Sequence, residues 1–232
     1  MYKNITLNGY SVKHFPSKES FLNFADNKKK ILVAINAEKI MKNDNRLKNI
    51  VNNNIGYPDG IGAVWALRQK GINNAIKIPG CEFWLDIIER YYKNKKFYLI
   101  GSTDEVIKKV VDKLQSKFSG IDIVGYRNGY INETDKRQLK NDLMSSKADI
   151  VFVAQGSPKQ EYFMEELSQE YPALYMGLGG SFDIYSGLKK RAPNFFLKNN
   201  LEWFYRLMRE PTRIKRNIVF IKFLYLLLSK KL

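Results

Sequence analysis

Short apolar, β-branched runs alternate along the chain with stretches whose apolar residues recur at helical spacing, the pattern of parallel strands joined by crossover helices. Ile31–Ile35, Phe97–Ile100, Ile121–Val124, Ile150–Ala154 and Leu174–Leu178 predict strands. Glu82–Lys93, Asp104–Phe118, Thr134–Ser145 and Lys159–Tyr171 predict the helices between them. In Asp104–Phe118, Val106, Val110, Val111 and Leu114 share one face, with Lys108, Lys109 and Lys113 on the other, as expected of an amphipathic crossover helix. The expected fold class is α/β, a doubly wound, mostly parallel Rossmann-like sheet that takes its ligands at the carboxyl ends of the strands. Around Pro193 the pattern turns to helices without strands. Residues 1–190 are therefore read as the core, and 191–232 as a basic and apolar helical appendage facing a membrane.

Composition narrows the class. At 232 residues, with 44% hydrophobic and 13% aromatic side chains, the chain can bury the core of one globular domain, which excludes collagen-like and disordered readings. A lone Cys81 cannot form an internal disulfide, so a reducing compartment is expected. Met1–Pro16 is polar and lacks the apolar core of a secretory signal, which predicts a cytoplasmic protein.

The net charge of +16 is concentrated at one end. Residues 189–232 hold twelve Lys and Arg against Glu202 and Glu210, an excess of ten charges, and leave an excess of six to the rest of the chain. Such local excess points to an anionic partner: nucleic acid, an anionic lipid surface or a diphosphate substrate. Within that end, Ile218–Leu228 is an eleven-residue apolar run interrupted by Lys222, too short to span a bilayer, which takes roughly 20 residues. With cations on both sides it fits a helix lying at a lipid interface, and equally a final helix packed on the core.

Several strand ends run into small polar residues: Ile35-Asn36, Ile100-Gly101-Ser102, Gln155-Gly156-Ser157 and Leu178-Gly179-Gly180-Ser181. One such junction is ordinary turn geometry, but four at one sheet edge favour a nucleotide, whose phosphate and ribose oxygens suit exposed backbone N–H groups. The chemistry is not that of a dinucleotide dehydrogenase, because Gly177-Leu178-Gly179-Gly180-Ser181-Phe182 lacks the last glycine of the fingerprint and comes late. A P-loop is missing too, and the single His14, expected at the surface or half-buried in a strand, cannot supply a His-based triad or metal cluster. Cys81 is expected to pack as a small apolar group. With no Asp-x-Asp pair to hold a metal on a diphosphate, side-chain cations must meet its charge, and the arginine-rich end offers planar donors for that.

Asp59 follows Gly56-Tyr57-Pro58 and precedes Gly60 and a helix-like Ala63–Gln69 run. Two roles stay open for it: a helix N-cap, the commoner fate of an Asp at such a place, or a carboxylate on a rigid turn that takes a proton from an acceptor hydroxyl.

Read together, the motifs resemble the WecG/TagA/CpsF family of bacterial glycosyltransferases from about Leu32 to Arg216. The matching strings are Ala34-Ile35-Asn36-Ala37-Glu38-Lys39, Tyr57-Pro58-Asp59-Gly60, Ile78-Pro79-Gly80, Gly156-Ser157-Pro158-Lys159-Gln160-Glu161 and Gly177–Asp183. They continue through Lys190-Arg191-Ala192-Pro193, Leu201–Leu207 and Glu210-Pro211-Thr212-Arg213. The resemblance implies an inverting, metal-independent hexosyltransferase without a cofactor. It would move an N-acetylmannosamine-type sugar from a UDP-sugar donor to N-acetylglucosamine on a polyprenyl diphosphate-linked acceptor. It would work as a peripheral protein on the inner face of the cytoplasmic membrane, without nucleic acid, self-association being left open.

The details look most like the N-acetylmannosaminuronic acid transferases of enterobacterial common antigen assembly. The alternative is an N-acetylmannosaminyltransferase of teichoic acid linkage or capsule synthesis. Teichoic-branch members carry Thr where this chain has Ala34 and tend to carry Arg where it has Lys77, departures that favour a different donor sugar. Carried over by position, Asp59 matches the catalytic base and Gln160 a substrate-pocket position. Asn36, Lys77, Gly101, Gly156, Ser157, Gly179, Gly180, Asp183, Arg191, Arg206, Arg209 and Arg213 complete the expected substrate-binding set. A different class, an inactive basic protein that binds membrane or nucleic acid, would share the charge but not an affinity for UDP.

Overall fold

The structure, a computed structural model, describes residues 2–209 and 214–232, and the backbone alone for residues 206, 207, 209 and 214–217. In chain order its elements are β1 (Asn4–Leu7), β2 (Tyr10–Lys13), α1 (Lys18–Ala25), β3 (Ile31–Ile35), α2 (Ala37–Ile40), α3 (Asn45–Asn53) and β4 (Ile55–Pro58). There follow α4 (Ile61–Gln69), α5 (Gly80–Tyr91), β5 (Lys96–Gly101), α6 (Asp104–Lys117), β6 (Asp122–Arg127), α7 (Glu133–Ser146) and β7 (Ile150–Ala154). The chain ends in α8 (Lys159–Glu170), β8 (Leu174–Gly177), α9 (Ser181–Ser186), α10 (Asn194–Lys198), α11 (Glu202–Arg209) and α12 (Ile214–Leu228).

β3 to β8 form one parallel sheet in the order β4-β3-β8-β7-β5-β6. Four of the five apolar runs seen in the sequence are its inner strands β3, β8, β7 and β5, while Ile121–Val124 falls at the start of β6, an edge strand with no buried residue. The inner strands are covered on both faces, so every side chain of β7 is buried. One face packs on α2, α3, α4, α7, α8 and α12, the other on α1, α5, α6 and α9. The helices after β8, β7, β5 and β6 leave to alternating faces, whereas those after β3 and β4 share one. α6 follows β5 to one side and α8 follows β7 to the other, which opens a crevice between their carboxyl ends, the place where doubly wound sheets bind ligands.

β1, β2, β4, α1, α2, α3 and α9 have no counterpart among the strands and helices expected from the sequence. β4, which the sequence reading leaves out of the strands and enters only at Pro58, the first residue of the expected Pro-Asp-Gly turn, is an edge strand of four buried residues, where Pro58 removes no inner ladder hydrogen bond. Ahead of the sheet, β1 and β2 form a hairpin around Asn8-Gly9, both at positive φ (47° and 84°) as a tight hairpin turn requires. His14, expected at the surface or half-buried in a strand, lies just past β2 and is buried; burial is the first cause that lowers its pKa.

The final helix presents two apolar faces. Phe223 and Leu227 are buried against α2 and α4, with the Phe223 ring pressed so close to Gly62 that a Cβ there would stand 3.1 Å from it. On the outer side, Ile218, Ile221, Tyr225 and Leu228 form a stripe, each at least 63% exposed, at the spacing of one helical face. The reading of a final helix packed on the core describes its inner side. Among the described residues, no helix is long and apolar enough to cross a membrane.

Candidate active site

A cleft of about 340 Å³ opens over the carboxyl ends of β5, β7 and β8, within the range of small-ligand sites. It is lined by Ser102, Gly129, Tyr130, Ala154, Gln155, Gly156, Lys159, Gly179, Gly180 and Asp183. Gly156 and Gly179 adopt positive φ (81° and 57°), and a Cβ on either would meet nothing within 4 Å. Gly180 is free of both strain and crowding, so the space beside it is room for something other than protein. Gly101 is different. At φ 144°, its Cβ would sit 2.5 Å from the Ala154 carbonyl oxygen, so this glycine lets β5 and β7 close at the cleft floor.

Charge in the cleft is arranged. Ser102 donates to Asp183 Oδ1 at 2.7 Å, and Lys189 pairs with Asp183 Oδ2 at 2.7 Å. Partial burial pushes the Asp183 carboxyl up, but the hydrogen bonds from Lys189 and Ser102 and the Lys189 charge prevail and hold it below its usual range. Lys159, exposed at the first turn of α8, is the cation of the lining, and Tyr130 offers a ring 75% exposed at the rim. Ser157 is exposed between Gly156 and Lys159.

The second group gathers at the ends of β3 and β4, on the same sheet edge. The Asp59 N–H donates to the Ile35 carbonyl, and its half-buried carboxylate accepts the Gly80 N–H at 2.6 Å. Asp59 is thus a cap, but of α5 rather than of the helix that follows it, whose N-cap is Gly60. The α5 dipole and the fixed N–H hold the carboxylate in one place. Asn36 touches this turn, since a Cβ on Gly60 would lie 3.2 Å from its own, and it caps α2 by accepting the Lys39 N–H. Cys81 is half-buried here, its thiol pushed up to about 11 chiefly by burial.

The segment after the core folds back over this group. Lys77 Nζ donates to Asn200 Oδ1 at 2.8 Å, and Arg191 pairs with Glu82 of α5 at 2.7 Å. Both cations are therefore half-buried and engaged within the protein. Arg213 and the side chains of Arg206 and Arg209 lie outside the described residues.

Gln160 lies beneath the cleft wall and is buried. Its Oε1 accepts the Gly179 N–H at 2.9 Å and its Nε2 donates to Glu161 Oε1 at 3.1 Å. Glu161, also buried, pairs with buried Lys39 at 2.7 Å. Burial pushes the Glu161 carboxyl up, yet the Lys39 charge and the hydrogen bonds it receives hold it below its ordinary value of 4.5. Stabilisation from this pair is then complete above the carboxylate range and fades as pH falls through it. Thermal melts should lose stability on acidification below about pH 4, with a shallower acid limb in Glu161→Gln.

Ser102 and Gln155 belong to strand-end junctions that the sequence points to, and Lys159 stands in the Gly156–Glu161 string without a role of its own, whereas Gly129 and Tyr130 are cleft residues the sequence reading does not include. The Asn128-Gly129-Tyr130 turn after β6 carries the same strand-end signal as the four junctions named above. A protein-family model described as the glycosyl transferase WecG/TagA/CpsF family matches residues 5–232, nearly the whole chain.

Proposed function

Because the chain belongs to the WecG/TagA/CpsF family of glycosyltransferases, we propose that its strand-end cleft seats the nucleoside diphosphate of a UDP-sugar and that Asp59 activates the acceptor hydroxyl. The family places the protein in cell-surface polysaccharide synthesis, with a sugar donor and an acceptor. Our reading of the donor is UDP-N-acetylmannosaminuronic acid. The acceptor is N-acetylglucosamine on a polyprenyl diphosphate lipid, met at the cytoplasmic face of the membrane.

One observation carries the reading: an open glycine-lined cleft and a rigidly held carboxylate share one sheet edge. The nucleotide occupies the cleft, with Lys159 near the phosphates, Tyr130 beneath the base, and the backbone at Gly156, Gly179 and Gly180 close against it. The sugar extends along the edge toward Asp59. Asp59 takes the proton of the acceptor hydroxyl, whose oxygen bonds to the anomeric carbon on the face opposite UDP. The bond from that carbon to the diphosphate oxygen breaks, and its electron pair leaves with UDP. Charge grows on the diphosphate as the bond breaks, so fixed cations there stabilise the transition state more than the ground state. In this proposal side chains rather than a metal ion supply those cations: Lys159, with Arg206, Arg209 and Arg213 brought in from the C-terminal segment.

UDP should raise the melting temperature by about 5 °C or more at a hundredfold excess over its Kd, and Tyr130→Ala should remove most of that rise. A wild-type melt unmoved by UDP would count against the cleft as a nucleotide site. A nucleic-acid-binding protein would show the opposite pattern, no response to UDP and a salt-sensitive response to oligonucleotides.

A further inference from the structure

Beneath the two groups of site residues runs a buried polar chain that the proposed chemistry does not use. Lys39 Nζ donates to the Ala34 carbonyl at 2.8 Å and to Glu161 Oε1 at 2.7 Å, while its own N–H is held by Asn36. The same Glu161 oxygen accepts from Gln160, whose other amide end holds the Gly179 N–H. One continuous line of hydrogen bonds therefore joins the β3 turn, beside Asp59, to the glycine loop of the cleft. It crosses 122 residues of sequence separation at the ion pair.

The burial is unusual. The Lys39 and Glu161 side chains are 6% and 1% exposed, and charged groups so deep are costly to desolvate. Nothing in packing alone calls for them, since an apolar pair of similar volume is often as stable or more so. What an apolar pair cannot do is hold three backbone segments in register through directed hydrogen bonds. Space around the chain is equally tight: a Cβ on Gly177 would stand 2.4 Å from Gln160 Nε2, so the glycine lets the amide pass through to Gly179.

We propose that Lys39 and Glu161 are positioning residues, a buried cross-brace that sets the donor cleft against the turn carrying Asn36 and Asp59. The inference rests on the reading of the cleft as the nucleotide site. A brace of this kind acts on distance between the reacting partners, and a displacement near 1 Å costs on the order of a hundredfold in rate.

The test compares Glu161→Gln with the double substitution Lys39→Met, Glu161→Leu by melting temperature, UDP affinity in calorimetry, and hydrogen exchange of the 178–183 segment. Glu161→Gln should weaken UDP binding by about tenfold or more and speed exchange in that segment. The double variant should recover melting temperature relative to Glu161→Gln while its UDP affinity and exchange stay impaired. Recovery of affinity and exchange protection along with stability would reduce the pair to packing and overturn the proposal. So would a Glu161→Gln protein with wild-type affinity and exchange, which also decides the matter should the double variant fail to fold. Absence of UDP binding by the wild type would instead strike the nucleotide reading, and exchange would still report on the brace.

Discussion

Asp59→Asn should lower turnover on the order of a hundredfold or more while leaving UDP affinity nearly unchanged. Asparagine keeps the carbonyl-type oxygen that accepts the Gly80 N–H, so the cap on α5 and the local fold survive. What disappears is the capacity to take a proton. Asp59→Ala would confound the two, because it also removes the cap, at a cost of about 0.5–2 kcal/mol. The measurement is steady-state turnover with a short-chain lipid acceptor, alongside calorimetric UDP binding. Wild-type turnover in Asp59→Asn would leave the carboxylate with its structural task alone.

Replacing Ile218, Ile221, Tyr225 and Leu228 together by Ser should abolish co-sedimentation with anionic vesicles. Burying even part of four such side chains in a lipid interface contributes about 4 kcal/mol or more, roughly a thousandfold in partitioning. The melting temperature should hold, because these residues face outward while Phe223 and Leu227 hold the helix to the core. Transfer to a long-chain lipid acceptor should fall, and transfer to a water-soluble acceptor should persist. Undiminished vesicle binding would remove the stripe from that role. Cutting the chain near Asn200 is a poorer experiment, since it strips Phe223 from its place against Gly62 and exposes core.

The inner sheet was legible because β3, β5, β7 and β8 are apolar on both faces and read as unbroken runs. The amphipathic α6 was legible because its lysines mark its wet side. β4 was hidden by its composition: Gly56 is required there because Ser11 O would lie 2.4 Å from a Cβ, and glycine next to proline reads as a turn. The hairpin carried a usable signal in Asn8-Gly9 that its short flanking strands obscured. In the site, the glycine junctions and Asp59 stood out locally. The contact of Gln160 with Gly179, the Lys39–Glu161 pair and the capping of α5 by Asp59 are long-range, and no spacing along the chain encodes them. Arg191 and Lys77 illustrate the converse, since their pairing with Glu82 and Asn200 shows that a basic residue near a site is not thereby free for a phosphate.

The proposed mechanism turns on a single displacement driven by a carboxylate base at the strand edge. Nuclear magnetic resonance of the disaccharide-lipid product, formed by the wild-type enzyme from an α-linked UDP-sugar in the presence of a chelator, tests it most directly. A single displacement gives a β-linked product, the anomeric centre inverted. An α-linked product would require two displacements or a front-face path, and would contradict the role given to Asp59.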